Sequence, residues 1–181
     1  GFSENCYDGK TFYATNHVVG EGKGAKSISN RLTVALSIDT TAAAKASFGT
    51  ARTMLKSIKD DEGRPLNLKG TLLVVPPALE DIANALMTND KLEDGKPNPY
   101  KGTAKVLVCG WLETDTEWHL LDTSKAVKPI IFQPRKKPVF VQQTDTSSDA
   151  VFMRKKFKFG AEARGAAGYG LWQMAVGSTG A

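Results

Sequence analysis

The sequence predicts a mixed α+β fold, and two sets of observations predict it. Two segments in the first half carry apolar residues at the three- and four-residue spacing of amphipathic helices, and short apolar runs separated by turn residues are typical of strands elsewhere. The 181 residues, 41% hydrophobic and 24% charged, match the size and composition of one globular domain, or of one large domain with a lobe. This composition excludes a disordered chain, and no apolar run approaches the roughly 20 residues of a membrane-spanning helix.

The first helix is predicted in the stretch TTAAAKASFGTARTMLKSIKD, residues 40–60. Its apolar residues form one stripe at helical spacing: Phe48, Ala51, Leu55 and Ile58. Asp39 or Thr40 can cap the amino end, because their side-chain oxygens accept hydrogen bonds from free helical N–H groups. Gly63 is expected to end the helix.

A strand followed by a second helix is predicted in TLLVVPPALEDIANALMTND, residues 71–90. The run TLLVV is typical of a buried strand. Pro77 suits a first helical position, because a backbone N–H at that position makes no hydrogen bond within the helix and its absence there costs nothing. Glu80 and Asp81 favour the positive end of the helix. The predicted apolar face consists of Leu79, Ile82, Ala83 and Leu86.

The second half of the chain is predicted to be mostly β. Separate strands are expected in AKVLVCGWL, EWHLLD, PIIFQ and PVFVQQ, and a last run, GYGLWQMAVG, leads into a tail of small residues. In VFMRKKFKFG, alternation places Met153, Phe157 and Phe159 on one face and Arg154, Lys156 and Lys158 on the other. This pattern predicts a half-buried strand.

The stretch VVGEGKGAKS, residues 18–27, partly matches a phosphate-binding loop. Gly20, Lys26 and Ser27 stand at motif positions, but Ala25 occupies the place of a glycine whose backbone must close around phosphate. The residues that follow show no helical apolar stripe, whereas a phosphate-binding loop leads into a helix. We therefore interpret the stretch as a flexible basic surface loop and keep a nucleotide-handling enzyme as a third functional hypothesis.

Residues for common enzyme chemistry are sparse. The chain has two histidines, His17 and His119, and two cysteines, Cys6 and Cys109, without metal-ligand spacing or a nucleophile motif. His119 lies between Trp118 and Leu120 and is interpreted as structural. We expect no catalytic, metal or cofactor-binding residue and no cofactor, and the cysteine usage favours an intracellular compartment.

The formal net charge is +5 and the isoelectric point about 9.2. Basic clusters occur in QPRKKPV and FMRKKFKF, the second with phenylalanines between the basic residues. One interpretation is a solvated basic face. The alternative is a basic nucleic-acid-binding module, in which aromatic rings stack on bases while lysines contact phosphates.

Four stretches, in order along the chain, resemble the Mu-like phage and prophage major head subunit family. They are YDGKTFYATNH near the start, LLVVPPALEDIA in the middle, WHLLDTSKAVKPIIFQPRKKPVF after it, and YGLWQMAVGSTGA at the end. The resemblance implies a structural protein that is not an enzyme: a major capsid protein that self-assembles into the icosahedral shell enclosing phage DNA. A structural shell protein agrees with the absence of a recognisable catalytic motif.

The resemblance also implies the Hong Kong 97-type phage capsid fold, an α+β fold with axial and peripheral lobes. Residues 1–38 would form an extended segment and Gly-rich loop of the peripheral lobe, residues 39–117 largely the axial lobe, and residues 118–181 a return to the peripheral lobe. Family members are longer at the amino end, and this chain begins at Gly1 without a methionine. We therefore expect a carboxy-terminal fragment that lacks the amino-terminal arm, the extended loop and most of the spine helix.

The partners that the resemblance implies are copies of the same chain in hexamers and pentamers, a scaffold, a maturation protease and non-specifically bound packaged DNA, with no membrane partner. The implied location is the virion capsid, and the bacterial host cytoplasm before assembly. Basic residues then become candidates for contact with the lumen or with a neighbouring subunit. The candidates are Arg135, Lys136, Lys137, Arg154, Lys156 and Lys158.

Overall fold

The computed structural model describes residues 1–20, 25–112, 114–145, 151, 153 and 156–181. Helices and strands are both present, as the sequence predicts. The chain divides into two compact units, of which the first comprises Gly1–Pro129 with Tyr169–Ala181 and the second comprises Ile130–Gly168. No helix among these described residues is long and apolar enough to cross a membrane.

A five-stranded mixed sheet forms the centre of the first unit. Its strands, in spatial order, are β3 (Arg31–Leu32), β9 (Ala175–Ser178), β6 (Trp118–Leu121), β4 (Leu72–Val75) and β5 (Lys105–Val108). β4 pairs in parallel with β5 and antiparallel with β6, and β9 pairs antiparallel with β6 and in parallel with β3. A separate hairpin joins β1 (His17–Val19) to β2 (Lys26–Ile28).

The first predicted helix is present but is shorter and less regular than expected. It runs as α1 (Thr41–Ala44), a π-helical turn (Lys45–Gly49) and α2 (Thr50–Ser57). Thr40 caps it, accepting a hydrogen bond from the Ala43 N–H at 3.0 Å. The expectation that Gly63 ends the helix is wrong, because α2 ends at Ser57 and Ile58 already has an extended backbone. The Ile58 carbonyl accepts a hydrogen bond from the Leu66 N–H at 3.2 Å, so the chain turns back after the helix.

The second predicted helix forms where the sequence places it. Pro77–Leu79 make a 3-10 turn that continues into α3 (Glu80–Thr88), and Glu80 and Asp81 occupy the first turn of α3. Ala83 and Leu86 are fully buried, as the predicted apolar face requires.

The sheet is covered on both faces, because alternate residues of a strand point to opposite sides. Leu73 and Val75 of β4 pack with the helices, in a cluster that includes Phe48 and Leu55. Val74 of the same strand packs on the other face. That second cluster is built from the amino-terminal segment and the turn before β9, and includes Phe12, Tyr13, Trp172 and Ala175.

The second unit is a two-stranded ribbon of β7 (Ile130–Gln143) and β8 (Lys158–Tyr169). The sequence predicted two strands, PIIFQ and PVFVQQ, but β7 continues through Pro134 and Pro138. Each strand of a two-stranded ribbon has one free edge, so a proline that faces this edge removes no ladder hydrogen bond.

The prediction of a half-buried strand in VFMRKKFKFG is also wrong. The strand starts only at Lys158, and the phenylalanines at 157 and 159 are both exposed. All residues of β7, and those of β8 up to Gly168, are exposed, so alternation of residue types does not produce a buried face on these two strands.

Strands from all three segments defined by the sequence share one sheet. β3 comes from residues 1–38, β4 and β5 come from residues 39–117, and β6 and β9 come from residues 118–181. The assignment of these segments to axial and peripheral lobes stays a prediction.

Candidate functional site

The structure gathers most of the predicted basic candidates on the ribbon. Arg135, Lys136 and Lys137 lie exposed on β7, Lys158 begins β8, and Lys156 lies exposed just before it. Arg154, the sixth candidate, lies outside the described residues. Two clusters that are some twenty residues apart in the sequence therefore belong to one unit of the fold.

The ribbon unit holds the whole net charge of the chain. Of the 24 lysines and arginines, eight fall in Ile130–Gly168, together with three of the 19 acidic residues. The unit therefore carries a formal charge of +5, which equals the net charge of the complete chain. In the first unit the numbers of basic and acidic residues are equal, so the excess positive charge of the protein lies in the ribbon unit.

One acidic side chain offsets part of this charge within the ribbon. Glu162 on β8 pairs across the ribbon with Lys136, and its Oε1 lies 3.3 Å from the Arg164 Nε. These groups are about half exposed, so the pairs contribute little to stability. Arg135 and Lys137 have no ion pair within the described part of the chain, and their charge is available to a partner.

Contacts between side chains run in opposite order along β7 and β8, as in an antiparallel hairpin. Phe132 lies beside Gly165, Lys136 pairs with Glu162, and the rings of Phe140 and Phe159 stack with centroids 6.0 Å apart. A methyl group in place of the Gly165 hydrogen would come within 2.7 Å of the Phe132 ring. Glycine at this position therefore lets the ring lie flat across the ribbon.

The ribbon also exposes an unusual amount of apolar surface. More than half of the exposed large apolar side chains found in the structure belong to it: Ile130, Ile131, Phe132, Val139, Phe140, Val141, Met153, Phe157 and Phe159. Apolar residues concentrated in this way mark contact surfaces more often than scattered ones do. The ribbon thus offers basic and apolar groups together.

A second exposed feature lies at one end of the central sheet, where sequence reasoning expected a strand. β5 ends at Val108, and Trp111 beyond it is 95% exposed. The Cys109 N–H donates to the Val75 carbonyl at 2.8 Å, which holds this turn beside the end of β4. An almost fully exposed tryptophan is a frequent anchor of protein interfaces.

The two histidines serve the packing of the first unit. His17 is fully buried, its Nδ1 lies 2.5 Å from Asp8 Oδ2, and its ring stacks on Trp172 at 4.0 Å. The other ring nitrogen of His17 lies 3.3 Å from the Phe12 carbonyl oxygen. Both nitrogens therefore contact oxygens of the fold, which agrees with a structural role.

His119 lies in β6 and is buried against aromatic rings. Its ring stacks on Tyr13, and burial lowers the pKa of its imidazole to about 4. Cys6 is buried beside Gly170, and burial raises the pKa of its thiol. A thiol whose pKa is raised is a poor nucleophile, because the thiolate is the reactive form.

The described residues form no candidate metal site, and they do not place the partial phosphate-binding motif before a helix. No group of three histidine, cysteine or acidic side chains is placed to hold a metal ion in that part of the chain. Lys26 and Ser27 of the partial phosphate-binding motif lie in strand β2 rather than at the start of a helix. Residues 21–24 of the motif lie outside the described residues.

Comparison with known proteins identifies a family. The family described as Mu-like prophage major head subunit gpT matches residues 32–112 and 113–181. The major capsid protein of Escherichia phage Mu is 59% identical over 59 residues, which is 33% of this chain and 19% of that protein. The Mu-like prophage FluMu major head subunit of Haemophilus influenzae is 50% identical over 58 residues, 32% of this chain and 19% of that protein. The chain thus covers about a fifth of the length of either relative.

Two solved structures are also similar. A chain of the bacteriophage JBD30 procapsid aligns with 99% of this chain and 36% of its own length, with a TM-score of 0.45 and 23% identity. A chain of the JBD30 capsid aligns with 42% of this chain and 25% of its own length, with a TM-score of 0.39 and 30% identity.

Proposed function

The chain belongs to the Mu-like prophage major head subunit family, and on this premise we propose that it forms part of a shell-building capsid protein. The protein would assemble with copies of itself into the icosahedral head that encloses phage DNA. The match of the family to residues 32–112 and 113–181 carries this proposal. A shell protein needs a stable folded plate and contact surfaces for its own copies.

The architecture of the first unit is consistent with such a plate. Both faces of the five-stranded sheet are covered within the chain, by the helices on one side and by the amino-terminal segment on the other. Contact surfaces are then left to the edges, the loops and the ribbon. We propose further that the fold is of the Hong Kong 97 type, with axial and peripheral lobes.

The proposed partners are copies of the same protein in hexamers and pentamers, a scaffold and a maturation protease during assembly, and packaged DNA. The proposed location is the virion capsid, preceded by the host cytoplasm. The basic groups of the ribbon support a contact with anionic surfaces, either DNA in the lumen or an acidic neighbouring subunit. Lys136 and Lys137 are both exposed on β7, and Lys136 also pairs with Glu162 within the ribbon.

Electron microscopy of the longest natural gene product that contains this sequence tests the proposal. We expect rings or shells of uniform size in negative stain. Dispersed small particles under all buffer conditions would contradict a shell-building role. A variant with Lys136→Glu and Lys137→Glu should alter assembly or DNA content, and unchanged values of both would reject these lysines as contacts.

A nucleic-acid-binding module is the second candidate function, because the ribbon interleaves basic residues with Phe132, Phe140 and Phe159. The two functions separate by salt dependence. Affinity for phosphates falls steeply as salt rises, whereas mixed apolar and polar capsid contacts weaken less. Titration of the chain with fluorescent single-stranded DNA at about 50 and 200 mM salt makes this comparison, and tight sequence-tolerant binding without any self-assembly would favour the module.

A further inference from the structure

We propose that the ribbon is a docking arm for a second copy of this chain, and that it binds the acidic end of the central sheet that carries Trp111. This inference rests on the proposed function and goes beyond it by naming the two surfaces that meet. The contact would be heterologous, because the ribbon of one copy meets a different surface of the next. Heterologous contacts generate rings and extended assemblies rather than closed dimers.

The composition of the ribbon points to a protein partner. Its exposed side chains include the aliphatic Ile131, Val139 and Val141 as well as basic groups. Phosphates would satisfy the lysines and arginines but would leave these aliphatic side chains in water. A protein surface can cover both kinds of group, so a partner with apolar and acidic patches fits the ribbon better than a nucleic acid does.

The first unit presents such a surface at one end of its sheet. β4 and β5 run in parallel, with Val75 paired to Val108, so the segments that follow them leave the sheet at the same end. β6 runs antiparallel to β4 and begins at this end with Trp118. The loops after β4 and β5 and the start of α3 therefore lie close to one another.

All the charged residues of these segments are acidic. The sequence has no lysine or arginine between Lys69 and Lys91, nor between Lys105 and Lys125. Glu80 and Asp81 in the first turn of α3 and Asp115 in the loop after β5 are exposed. The sheet end therefore carries only negative charge in these segments, which complements the ribbon with its charge of +5.

Trp111 supplies the apolar part of the same surface. It is 95% exposed on the loop between β5 and β6, and Leu107 at the end of β5 is also exposed. A tryptophan ring can pack against the aliphatic residues of the ribbon and accept Arg135 or Lys137 over its face. Charge and apolar character thus match on the two surfaces.

Reciprocal charge reversal in the full chain tests the pairing. One variant carries Arg135→Glu and Lys137→Glu on the ribbon, and the other carries Glu80→Lys and Asp115→Lys at the sheet end. A third variant, Lys59→Glu with Lys91→Glu, is the matched control, because both lysines are exposed and it changes the net charge as the ribbon variant does. Circular dichroism and thermal unfolding check that all three variants fold like the parent chain.

Sedimentation velocity then measures self-association of each protein and of the mixed variants. We expect the parent chain and the control to associate, and each of the two reversed variants alone to associate at least about tenfold more weakly. An equimolar mixture of these two variants should recover association, since every ribbon in it finds a sheet end of opposite charge on the other variant. A contact within one chain would not recover on mixing.

The inference is overturned if the parent chain stays monomeric, if the reversed variants associate like the parent, or if the mixture does not recover. Loss of DNA binding by the ribbon variant, with self-association unchanged, would instead assign the ribbon to nucleic acid. The same variants made in the longest natural gene product separate the two proposals. Normal shells from both variants would reject the docking arm and leave the capsid function standing, whereas failure of the unaltered protein to form shells would reject the capsid function.

Discussion

The ring of His119 stacks on the ring of Tyr13, with centroids 4.9 Å apart and planes inclined by 6°. The Nδ1 atom of His119 has no hydrogen-bond partner among the described residues. Burial is the main cause that lowers the pKa of this imidazole to about 4. A neutral histidine is thus built into the face of β6 that packs against the amino-terminal segment.

This arrangement predicts a loss of stability at mildly acidic pH. In the unfolded chain the pKa of His119 returns to about 6.5, so the unfolded state binds more protons between about pH 6.5 and pH 4. The free energy of unfolding should therefore fall as the pH drops through this range, by about 2 kcal/mol between pH 7 and pH 4.5. Urea unfolding at the two pH values measures the difference.

His119→Phe is the control for the pH effect, since it keeps a ring against Tyr13 and removes the titrating group. The variant should lose most of the difference between pH 7 and pH 4.5. The pKa of Asp122 is also lowered, despite the opposing effect of burial, by hydrogen bonds from Ser124 and Lys69. The contribution of Asp122 to the free energy of unfolding is lost only below about pH 3.8, the ordinary pKa of an aspartate. An unchanged pH dependence in His119→Phe would show that other groups cause it.

Among single polar side chains, we expect substitution of Asn30 to cause the largest loss of stability. It is fully buried, and its Nδ2 lies within 3.2 Å of the carbonyl oxygens of Phe12, Trp172 and Ala175, while its Oδ1 accepts the Ala14 N–H at 2.9 Å. Asn30→Ala removes all four hydrogen bonds and leaves the Ala14 N–H without its acceptor, which should destabilise the chain by about 1 to 3 kcal/mol.

Denaturant unfolding at neutral pH measures this effect. Asn84→Ala on the exposed side of α3 is the control and should change stability by less than about 0.5 kcal/mol. Equal effects of the two substitutions would contradict the role given to Asn30.

We expect a side chain at Gly177 to clash with its neighbours in the same region. A methyl group at this position would lie 2.7 to 2.9 Å from three atoms of the Tyr13 ring, which is closer than the packing tolerates. Gly177→Ala should displace the ring and destabilise the first unit by about 1 to 3 kcal/mol. Thermal unfolding and the near-ultraviolet circular dichroism of the aromatic residues report both changes.

Gly160→Ala on β8 is the matched substitution, because the added methyl group would meet no atom within 4 Å. It should leave stability unchanged or raise it slightly, since alanine restricts the unfolded chain more than glycine does. If Gly177→Ala proved as harmless as Gly160→Ala, Tyr13 would not occupy the position described.

We expect substitution of Glu162 to change stability only slightly, although this residue makes two ion pairs. Lys136 and Arg164 both contact it, but all three side chains are substantially exposed. Glu162→Gln should change the thermal stability of the chain by less than about 1 kcal/mol. A larger loss, measured by calorimetry at low and high salt, would show that the ribbon depends on this network for its structure.

The helices could be predicted from the sequence because their signals are local. Phe48, Ala51 and Leu55 recur at helical spacing, and the structure buries all three. Ile58 continues the same spacing and is also buried, but in extended backbone beyond the helix. Periodicity indicates which residues enter the core, whereas the end of a helix also depends on a loop that pairs back on it.

Features that depend on distant pairing were not predicted. β3 is only two residues long and exists because Arg31 and Leu32 pair with Gly177 and Ser178 at the other end of the chain. No local pattern indicates such a short strand. The runs PIIFQ and PVFVQQ were predicted as separate strands because turn residues stand between them. Sequence alone does not show that β7 belongs to a two-stranded ribbon, in which prolines at a free edge are tolerated.

The candidate contact surface was predicted in part. The basic clusters were visible in the sequence as runs of charged residues. That both clusters belong to one ribbon is known only from the structure, which places them in the same compact unit. Trp111 was assigned to a strand because it lies in the apolar run AKVLVCGWL. Its exposure follows from the end of β5 at Val108, three residues earlier.

Cryo-electron microscopy of particles made by the longest natural gene product shows directly whether this chain forms part of a capsid. We expect shells in which every subunit contains density that fits the five-stranded sheet with its two covered faces. A preparation that yields no shells, or shells whose subunits lack this sheet, would contradict the assignment of the chain to the capsid.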